Sequence, residues 1–387
     1  MWKFVFQVIP VVVWCIAALV VVLPLRLPRL RALLAVAALG IAFCKFAFFA
    51  LVGDDSFTPN LPQYVIWTYG WLYGAAMLLT LLSVTACLFD VAARLLRRPV
   101  PLRAKRLRCI VLAVFAAALS LWGIWEGVRI PPVRQIEVFC PGLPQSFDGY
   151  RIVHLSDLHC SPAARRGRFE RIVGRVNALK PDLVAITGDF VDGTVAARGD
   201  DLSPLAGLRA KDGVWGCTGN HEAYWDWNSW RGVFLQWNVG MLSEMTADHA
   251  GRVIRRGNDA LAVGGLHDPA LYHSSPTWRN AGDAFNNVPA GAFRILLYHR
   301  PYTQEIGSEA ADVRLQLSGH THGGAMPVLR WLVERNNEGH SRGIYEFAPG
   351  RFLHVSPGTG QWAGFPLRLF TPSEITELIL RVPRSPR

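Results

Sequence analysis

The sequence predicts an α/β domain preceded by four transmembrane α-helices. Long apolar runs fill the first third of the chain, whereas short β-branched runs broken by Gly, Asp, Asn and Pro fill the rest. Of the 387 residues, 51% are hydrophobic and only 18% are charged, a composition too apolar for one ordinary soluble fold. We therefore expect a membrane anchor over residues 1–130 and a second domain over residues 131–387.

Each of four apolar runs is long enough to cross a hydrocarbon core, which takes about 20 helical residues. The runs cover residues 4–25, 33–52, 64–89 and 107–130. The first run follows Lys3, as in a cleavable signal peptide, but no small-residue cleavage pattern follows it and three more runs come after it. We therefore expect all four helices to be retained as the anchor.

The loops between the apolar runs predict the orientation of the chain. The first and third loops are basic, whereas the second carries Asp54 and Asp55 and no basic residue. Because basic loops usually stay in the cytoplasm, both chain ends and everything after Ile130 are expected on the outer side. In a bacterium this places the second domain on the periplasmic or external side of the inner (plasma) membrane.

The positive charge is concentrated in the membrane part. Residues 1–130 hold 13 Lys and Arg against 4 Asp and Glu, and residues 131–387 hold 27 against 25, so the net charges are +9 and +2. Most of the excess lies in short loops between apolar runs, which indicates membrane topology. We therefore expect no nucleic-acid partner.

Beyond Pro132 the pattern changes to strands and an amphipathic helix. Residues 150–155 and 183–187 are predicted strands, and residues 165–179 between them are a predicted helix, which together make a βαβ unit. Further strands are expected at residues 214–218, 260–264, 294–298 and 314–317, with late, antiparallel ones at 352–355 and 376–380. In α/β domains the loops at the carboxyl ends of strands carry the site.

Potential metal ligands follow five of these strands directly. They lie in the segments SDLH, GD, GNHE and YH and in a GHTHGG box. Residues two apart in an extended chain point the same way, so the DxH pair and the HxH pair can each present two donors to one cavity. The predicted metal ligands are Asp157, His159, Asp189, Asn220, His299, His320 and His322.

The donor set consists of oxygen and imidazole groups without a thiolate. This composition favours Mn²⁺, Fe²⁺, Fe³⁺ or Zn²⁺ at a catalytic site over a structural zinc site. One four-ligand ion would leave several polar side chains costly to bury, whereas two ions that share a carboxylate use all seven. The predicted cofactor is therefore a pair of divalent metal ions, with Asp189 as the expected bridge.

The charge of such a site favours phosphate chemistry. Two divalent ions outweigh Asp157, Asp189 and a bridging hydroxide, so a phosphoryl oxygen is expected to bind both ions while the hydroxide attacks. His221 directly follows Asn220 and cannot easily point at the same ion. We therefore assign His221 to the substrate as a catalytic residue that stabilises developing charge or protonates the leaving group.

In their order along the chain, D-x-H, GD, GNHE, a His before Arg-Pro and GHTHGG resemble the motifs of calcineurin-like metallophosphoesterases. Within that family the chain looks most similar to the membrane-associated bacterial branch. The resemblance implies an αββα sandwich with a binuclear site. It also implies two ligand sets and a catalytic His221: Asp157, His159, Asp189 and His322 for one metal, and Asp189, Asn220, His299 and His320 for the other.

Some residues beside the motifs admit two interpretations. Asp192 is either a partner of a ligand histidine or a solvated turn residue, so it is not assigned to the site. Arg300 either contacts phosphate or forms a surface ion pair. The aromatic residues after His221 either cap the cavity and hold an acyl or prenyl chain or form an ordinary helix core: Tyr224, Trp225, Trp227, Trp230, Phe234 and Trp237.

Together these features predict a membrane-anchored, metal-dependent phosphoesterase. Its expected substrate is a phosphorylated small molecule or lipid of the cell envelope, cleaved at a phosphate ester or pyrophosphate bond. The alternative is a membrane sensor or transport-associated protein whose phosphoesterase-like domain binds a phosphorylated ligand without hydrolysing it. The complete ligand set favours the enzyme, and the sequence leaves the oligomeric state open.

Overall fold

The computed structural model describes residues 2–244, 251–271 and 280–383 of the chain. By its internal contacts the chain divides into a helical unit, Met1–Gly127 with Ala363–Leu369, and a second unit, Val128–Trp362 with Phe370–Arg387. The strands lie in the second unit. A short segment close to the carboxyl end thus groups with the helices, which a division of the sequence at residue 130 does not anticipate.

The helices of the first unit follow one another with short connections. The first continues as a π-helical and a 3₁₀ turn as far as Leu25. In chain order the helices are α1 Trp2–Ala17, α2 Arg29–Phe43, α3 Lys45–Val52, α4 Gln63–Leu95 and α5 Leu102–Val128.

Three stretches of the described residues are long and apolar enough to cross a membrane: Val8–Leu25, Gln63–Leu95 and Leu102–Val128. The remaining predicted span differs from the expectation, because α2 and α3 are bent by 60° at Cys44. Cys44 leaves helical geometry with φ −78° and ψ 8°, although its amide still donates to Gly40 O at 2.8 Å. The described residues therefore provide three spans, or four if the bent pair crosses as one.

The second unit contains two six-stranded sheets within the described residues. The first has the order β1-β12-β2-β3-β4-β5 and the second the order β10-β11-β9-β8-β7-β6. In chain order the strands are β1 Val133–Phe139, β2 Arg151–Leu155, β3 Leu183–Thr187, β4 Val214–Cys217, β5 Val239–Met241, β6 Arg252–Arg256, β7 Asp259–Gly265, β8 Phe293–Leu297, β9 Val313–Ser318, β10 Gly343–Ala348, β11 Arg351–Val355 and β12 Ile375–Arg381.

In the described part of the second unit, five α-helices connect these strands. They are α6 Arg166–Ala178, α7 Val195–Leu202, α8 Asn220–Tyr224, α9 Trp227–Gln236 and α10 Pro327–Arg335. The predicted apolar stripe of α6 is confirmed, since Phe169, Ile172, Val173 and Val176 are all buried in one cluster with side chains of the first sheet.

The sheets pack face to face because their central strands are buried on both sides. Along β2, Val153 and Leu155 pack with α6 and α9, whereas Ile152 points into a core shared with the second sheet. The other face of the second sheet buries Leu296 against Phe285 of a short 3₁₀ turn. This layered arrangement agrees with the expected αββα sandwich.

The two late strands are only partly as predicted. β12 pairs antiparallel with β2 but parallel with β1, and β11 pairs antiparallel with β10 but parallel with β9. Both strands contact two neighbours of opposite direction, which a local pattern cannot show. β2, β3 and β4 are parallel to one another, as are β8, β9 and β11, so their carboxyl ends lie at one edge of each sheet.

Candidate metal centre

The predicted ligands occupy loops at the carboxyl ends of strands in both sheets. The loops after β2, β3 and β4 belong to the first sheet, and those after β8 and β9 belong to the second. His299 Nε2 of the second sheet lies 3.3 Å from Asp189 Oδ2 of the first, so the two edges meet. Ligand atoms within 4.8 Å of one another form three overlapping groups: Asp157, His159 and His322; His159, Asp189 and His221; and Asp189, His299 and His320.

The first group brings two imidazole nitrogens face to face. His159 Nε2 and His322 Nε2 are 3.1 Å apart, and His322 Nε2 is 3.6 Å from Asp157 Oδ1. His159 Nδ1 lies 3.1 Å from Asp192 Oδ2, and since an ionised carboxylate only accepts, Nδ1 carries the proton. The lone pair of His159 Nε2 therefore faces the group, as metal ligation requires.

The third group, Asp189 with His299 and His320, is oriented in a similar way. His299 Nδ1 donates to the carbonyl oxygen of Thr187 at 2.7 Å, which leaves Nε2 directed at Asp189 and at His320 Nδ1, 3.2 Å away. Burial disfavours charge on His299, but Asp189 outweighs it and raises the pKa of His299 to about 10. A divalent cation would displace this proton from Nε2, because metal ligation requires the neutral ring.

Asp189 lies at the centre of the arrangement. Its Oδ2 is 3.3 Å from His299 Nε2, 3.7 Å from His159 Nε2 and 3.9 Å from His221 Nε2. Burial would raise the pKa of Asp189, but His299 and His221 outweigh it and hold the pKa well below its usual range. Asp189 is therefore a buried anion in contact with residues of all three groups.

The surroundings of the Asn220 side chain indicate whether these residues can hold a cation. Its side chain is buried, and its Oδ1 is an acceptor without a hydrogen-bond partner in the part of the chain that the structure describes. A buried acceptor without a donor costs about 1–3 kcal/mol, which a divalent cation would remove. Together with carboxylate and imidazole donors and no thiolate, this orphaned oxygen fits a hard or borderline divalent cation.

The backbone at the ligands adopts a conformation that most residues avoid. Non-glycine residues with positive φ cost of order 1–3 kcal/mol and cluster at functional sites. Five of the seven predicted ligands have this geometry: Asp157 (φ 52°), His159 (φ 44°), Asp189 (φ 52°), His320 (φ 68°) and His322 (φ 47°). The strand ends thus turn sharply to direct donors into the centre.

Gly319 allows the two sheet edges to approach each other. A Cβ on Gly319 would lie 1.8 Å from Ser156 Oγ and 2.3 Å from Asp157 Oδ2. The amide of the following His320 donates to both oxygens of Asp157 at 3.1 Å. The first glycine of the GHTHGG box therefore permits a contact that fixes Asp157.

His221 forms a close pair with Asp192, which the sequence did not assign. His221 Nδ1 is 2.5 Å from Asp192 Oδ1, and Asp192 is fully buried, so the interpretation as a solvated turn residue is wrong. Burial lowers the pKa of His221, but Asp189 and Asp192 outweigh it and raise the pKa to about 9. In the field of these side chains His221 is therefore a cation at neutral pH.

Glu222 is a second residue that the sequence analysis missed. Its buried carboxylate accepts hydrogen bonds from three backbone amides: Gly219 N at 2.6 Å, Asp189 N at 2.9 Å and Phe190 N at 2.7 Å. One side chain thus ties the loop after β3 to the loop after β4. Its place directly after His221 in GNHE was the available signal.

The aromatic residues after His221 mostly form core. Trp230 and Phe234 are fully buried and Trp227 nearly so, all in the cluster that covers the first sheet. Tyr224 differs, because it is 62% exposed and its ring lies 5.4 Å from that of His221. The helix-core interpretation is therefore correct for α9. An aromatic cap is limited to residues next to His221, such as Tyr224.

Arg300 forms an ion pair with Asp268. Its guanidinium donates to both oxygens of Asp268, at 2.7 and 2.9 Å, and the Asp268 carboxylate is fully buried. The pair is more buried than the surface ion pair that was expected. Both guanidinium nitrogens that face Asp268, Nε and Nη2, donate to its carboxylate.

The layered sheets with oxygen and imidazole ligands at their joined edges define a metal-dependent phosphoesterase domain. A family model described as calcineurin-like phosphoesterase matches residues 150–324. The chain is 32% identical over 276 residues to an uncharacterized metallophosphoesterase of Campylobacter jejuni, covering 71% of this chain and 69% of that protein. An Aquifex aeolicus metallophosphoesterase is 30% identical over 237 residues, covering 60% and 85%. The chain belongs to the calcineurin-like phosphoesterase family.

Similarity extends to animal proteins whose names mention a membrane. A Bos taurus "transmembrane protein with metallophosphoesterase domain" is 32% identical over 280 residues, which is 71% of this chain and 63% of that protein. The match thus spans less than two thirds of the length of this relative. The resemblance to the family seen in the motifs is confirmed.

Proposed function

We propose that the chain is a membrane-anchored phosphoesterase whose site binds two divalent cations. The observation that carries this proposal is the position of Asp189 between two groups of facing nitrogen ligands. One cation would be held by Asp157, His159, Asp189 and His322, and the other by Asp189, Asn220, His299 and His320. Residues 1–130 serve as the anchor and residues 131–387 as the catalytic domain, with the exception of the segment Ala363–Leu369.

The remaining chemistry belongs to His221. When bound, the cations supply Lewis acidity that neutralises phosphoryl oxygens and acidifies water. Asp192 holds Nδ1 of His221 at 2.5 Å, which leaves Nε2–H to donate a proton to the leaving oxygen. Asp192 is thus a positioning residue that fixes the tautomer and the orientation of the catalytic ring.

We assign an amphiphilic phosphate ester or pyrophosphate as the substrate. Support comes from the apolar helices, which keep the chain at a lipid bilayer, and from the aromatic ring of Tyr224 beside His221. Hydrolysis at a membrane gives access to lipid phosphates that a soluble enzyme meets rarely.

The full chain provides the test, since Ala363–Leu369 groups with the helices. Purified in detergent with Mn²⁺, it is expected to retain two metal ions per chain and to hydrolyse generic phosphomonoesters or phosphodiesters. Elemental analysis and phosphate release measure both. Two bound metals without turnover, membrane extracts included, would favour the sensor, and one metal or none would contradict the dinuclear site.

We further propose that the chain lies in a bacterial plasma membrane with its catalytic domain outside the cytoplasm. The basic segment around the connection between α4 and α5 supports this orientation. Lys105 and Arg108 pair with Asp90, and the other basic side chains of residues 94–106 remain as an excess of positive charge, which favours the cytoplasmic side. A phosphatase reporter that works only outside the cytoplasm, fused after Arg387, is expected to be active. An inactive reporter, with a cytoplasmic reporter active at the same position, would reverse the orientation.

A further inference from the structure

One loop connects the metal ligands to the helical unit. Residues 356–362, here the bracing loop, follow β11, and Ala363–Leu369, here the anchor segment, follow them directly. The bracing loop belongs to the second unit and the anchor segment to the helical unit. The peptide bond between Trp362 and Ala363 is therefore the point where the chain passes from one unit to the other.

The bracing loop supports the backbone of a predicted metal ligand. Thr359 N donates to Ser156 O at 2.7 Å, and Gly360 N donates to Asp157 O at 2.9 Å. A Cβ on Gly360 would lie 2.1 Å from the carbonyl oxygen of Leu158, so only glycine permits this approach. The position of the loop is thus fixed relative to Asp157.

The last residue of the bracing loop lies beside the catalytic histidine. The half-buried ring of Trp362 is 6.1 Å from the His221 ring, with an angle of 74° between the ring planes. Tyr224 lies 5.4 Å from the same imidazole and is 62% exposed. Two aromatic rings therefore lie next to the imidazole that would protonate the leaving oxygen, and the organic part of a substrate is attached to that oxygen.

The anchor segment is held by a buried lysine. Lys45 is fully buried at the bend between α2 and α3, and its Nζ donates to Gly364 O at 2.6 Å and to Ala363 O at 3.4 Å. The ammonium also lies 4.7 Å from the centre of the Phe46 ring. A buried lysine within an apolar span is costly, and here two carbonyl oxygens of the anchor segment accept its hydrogen bonds.

Glycines of the long helices receive the rest of the anchor segment. A Cβ on Gly70 would lie 2.7 Å from Pro366 Cγ, and one on Gly123 would lie 2.5 Å from Leu367 Cδ1. Arg368 N donates to Gly123 O at 3.0 Å, and the Arg368 side chain is fully buried. The segment is therefore packed into α4 and α5 by close backbone approach.

We propose that Trp362 contacts an apolar leaving group of the substrate beside His221. This inference rests on the proposed function and gives its substrate class: phosphate esters whose leaving group carries an alkyl or aryl surface. Trp362 provides that surface with a contact.

The test compares a short and a long alkyl ester with the full chain in detergent. Phosphate release from ethyl phosphate and decyl phosphate, or from the matching diesters if only diesters are cleaved, gives KM and kcat for each. Trp362→Ala is expected to raise KM for the decyl ester about tenfold and to change the ethyl ester less than about twofold, because only the long chain reaches the ring. Trp331→Ala, which removes a 60% exposed tryptophan of α10, is the matched control and should change neither.

The outcomes separate the two levels of the proposal. Hydrolysis of both esters by the wild type with equal losses in Trp362→Ala, or with no loss, overturns the role of Trp362 and leaves the phosphoesterase intact. Hydrolysis of neither ester overturns the proposed function and the role of Trp362 with it.

Discussion

Asp189→Asn is expected to lower turnover by about a thousandfold or more, because Asp189 is the ligand proposed to be shared and its loss would impair both cation sites at once. The carboxylate oxygen that lies 3.3 Å from His299 Nε2 and 3.7 Å from His159 Nε2 becomes a neutral amide. The fold should persist, since the change is nearly isosteric. Metal content per chain and the rate of ester hydrolysis, measured on the same preparation, check this prediction.

A matched control separates the loss of a ligand from the loss of a charge. Asp148→Asn makes the same chemical change at an exposed position, where the carboxylate pairs with Arg381 at 3.7 Å and accepts a hydrogen bond from Val382 N at 2.9 Å. It should keep both the metals and the rate. Asp189→Asn protein that retains two cations per chain and full turnover would show that this carboxylate does not bridge them. Lipid extracts of cells that carry Asp189→Asn should accumulate the uncleaved substrate, which would identify it.

His221→Ala is expected to retain both metals and to lose turnover by about a hundredfold or more, within the range that a general acid contributes. The residue is absent from both proposed ligand sets, and its Nδ1 is bound by Asp192. Metal analysis and kcat on the same sample distinguish a catalytic role from a ligand role. An unchanged kcat would remove the assignment, and loss of metal would make His221 a ligand.

Two further variants sharpen this result. His340→Ala is the matched control, since His340 is a half-buried histidine whose Nδ1 faces Pro301 O at 2.9 Å. Asp192→Asn keeps the imidazole of His221 but removes its carboxylate partner. Its rate should fall between those of the wild type and His221→Ala, because partners of this kind contribute about 10–100-fold.

The βαβ unit and the ligand positions could be predicted because their signals are local. β2 and β3 are buried on both faces, which requires continuous apolar runs, and α6 buries one stripe at helical spacing. The ligands sit directly after the strands, so the strand prediction also placed them. The structure brings Asp157, His159, Asp189, His299, His320 and His322 together in the overlapping groups described above.

Other features depend on contacts that are distant in sequence. Asp192 looks like any turn aspartate until His221, 29 residues away, lies 2.5 Å from it. Lys45 contacts carbonyls more than 300 residues further along the chain, and no period or spacing reports such a contact. The bend at Cys44 was missed for a related reason, since the apolar run around it continues without a proline.

The division of the ligands between two sheets has a mechanical consequence. Asp157, His159, Asp189 and Asn220 belong to one layer of the sandwich, whereas His299, His320 and His322 belong to the other. A cation bound among them would link the two layers. It would bind the folded domain much more tightly than the unfolded chain. The melting temperature of the domain would then rise with the concentration of cations. Chelators would lower both the stability and the activity of the domain.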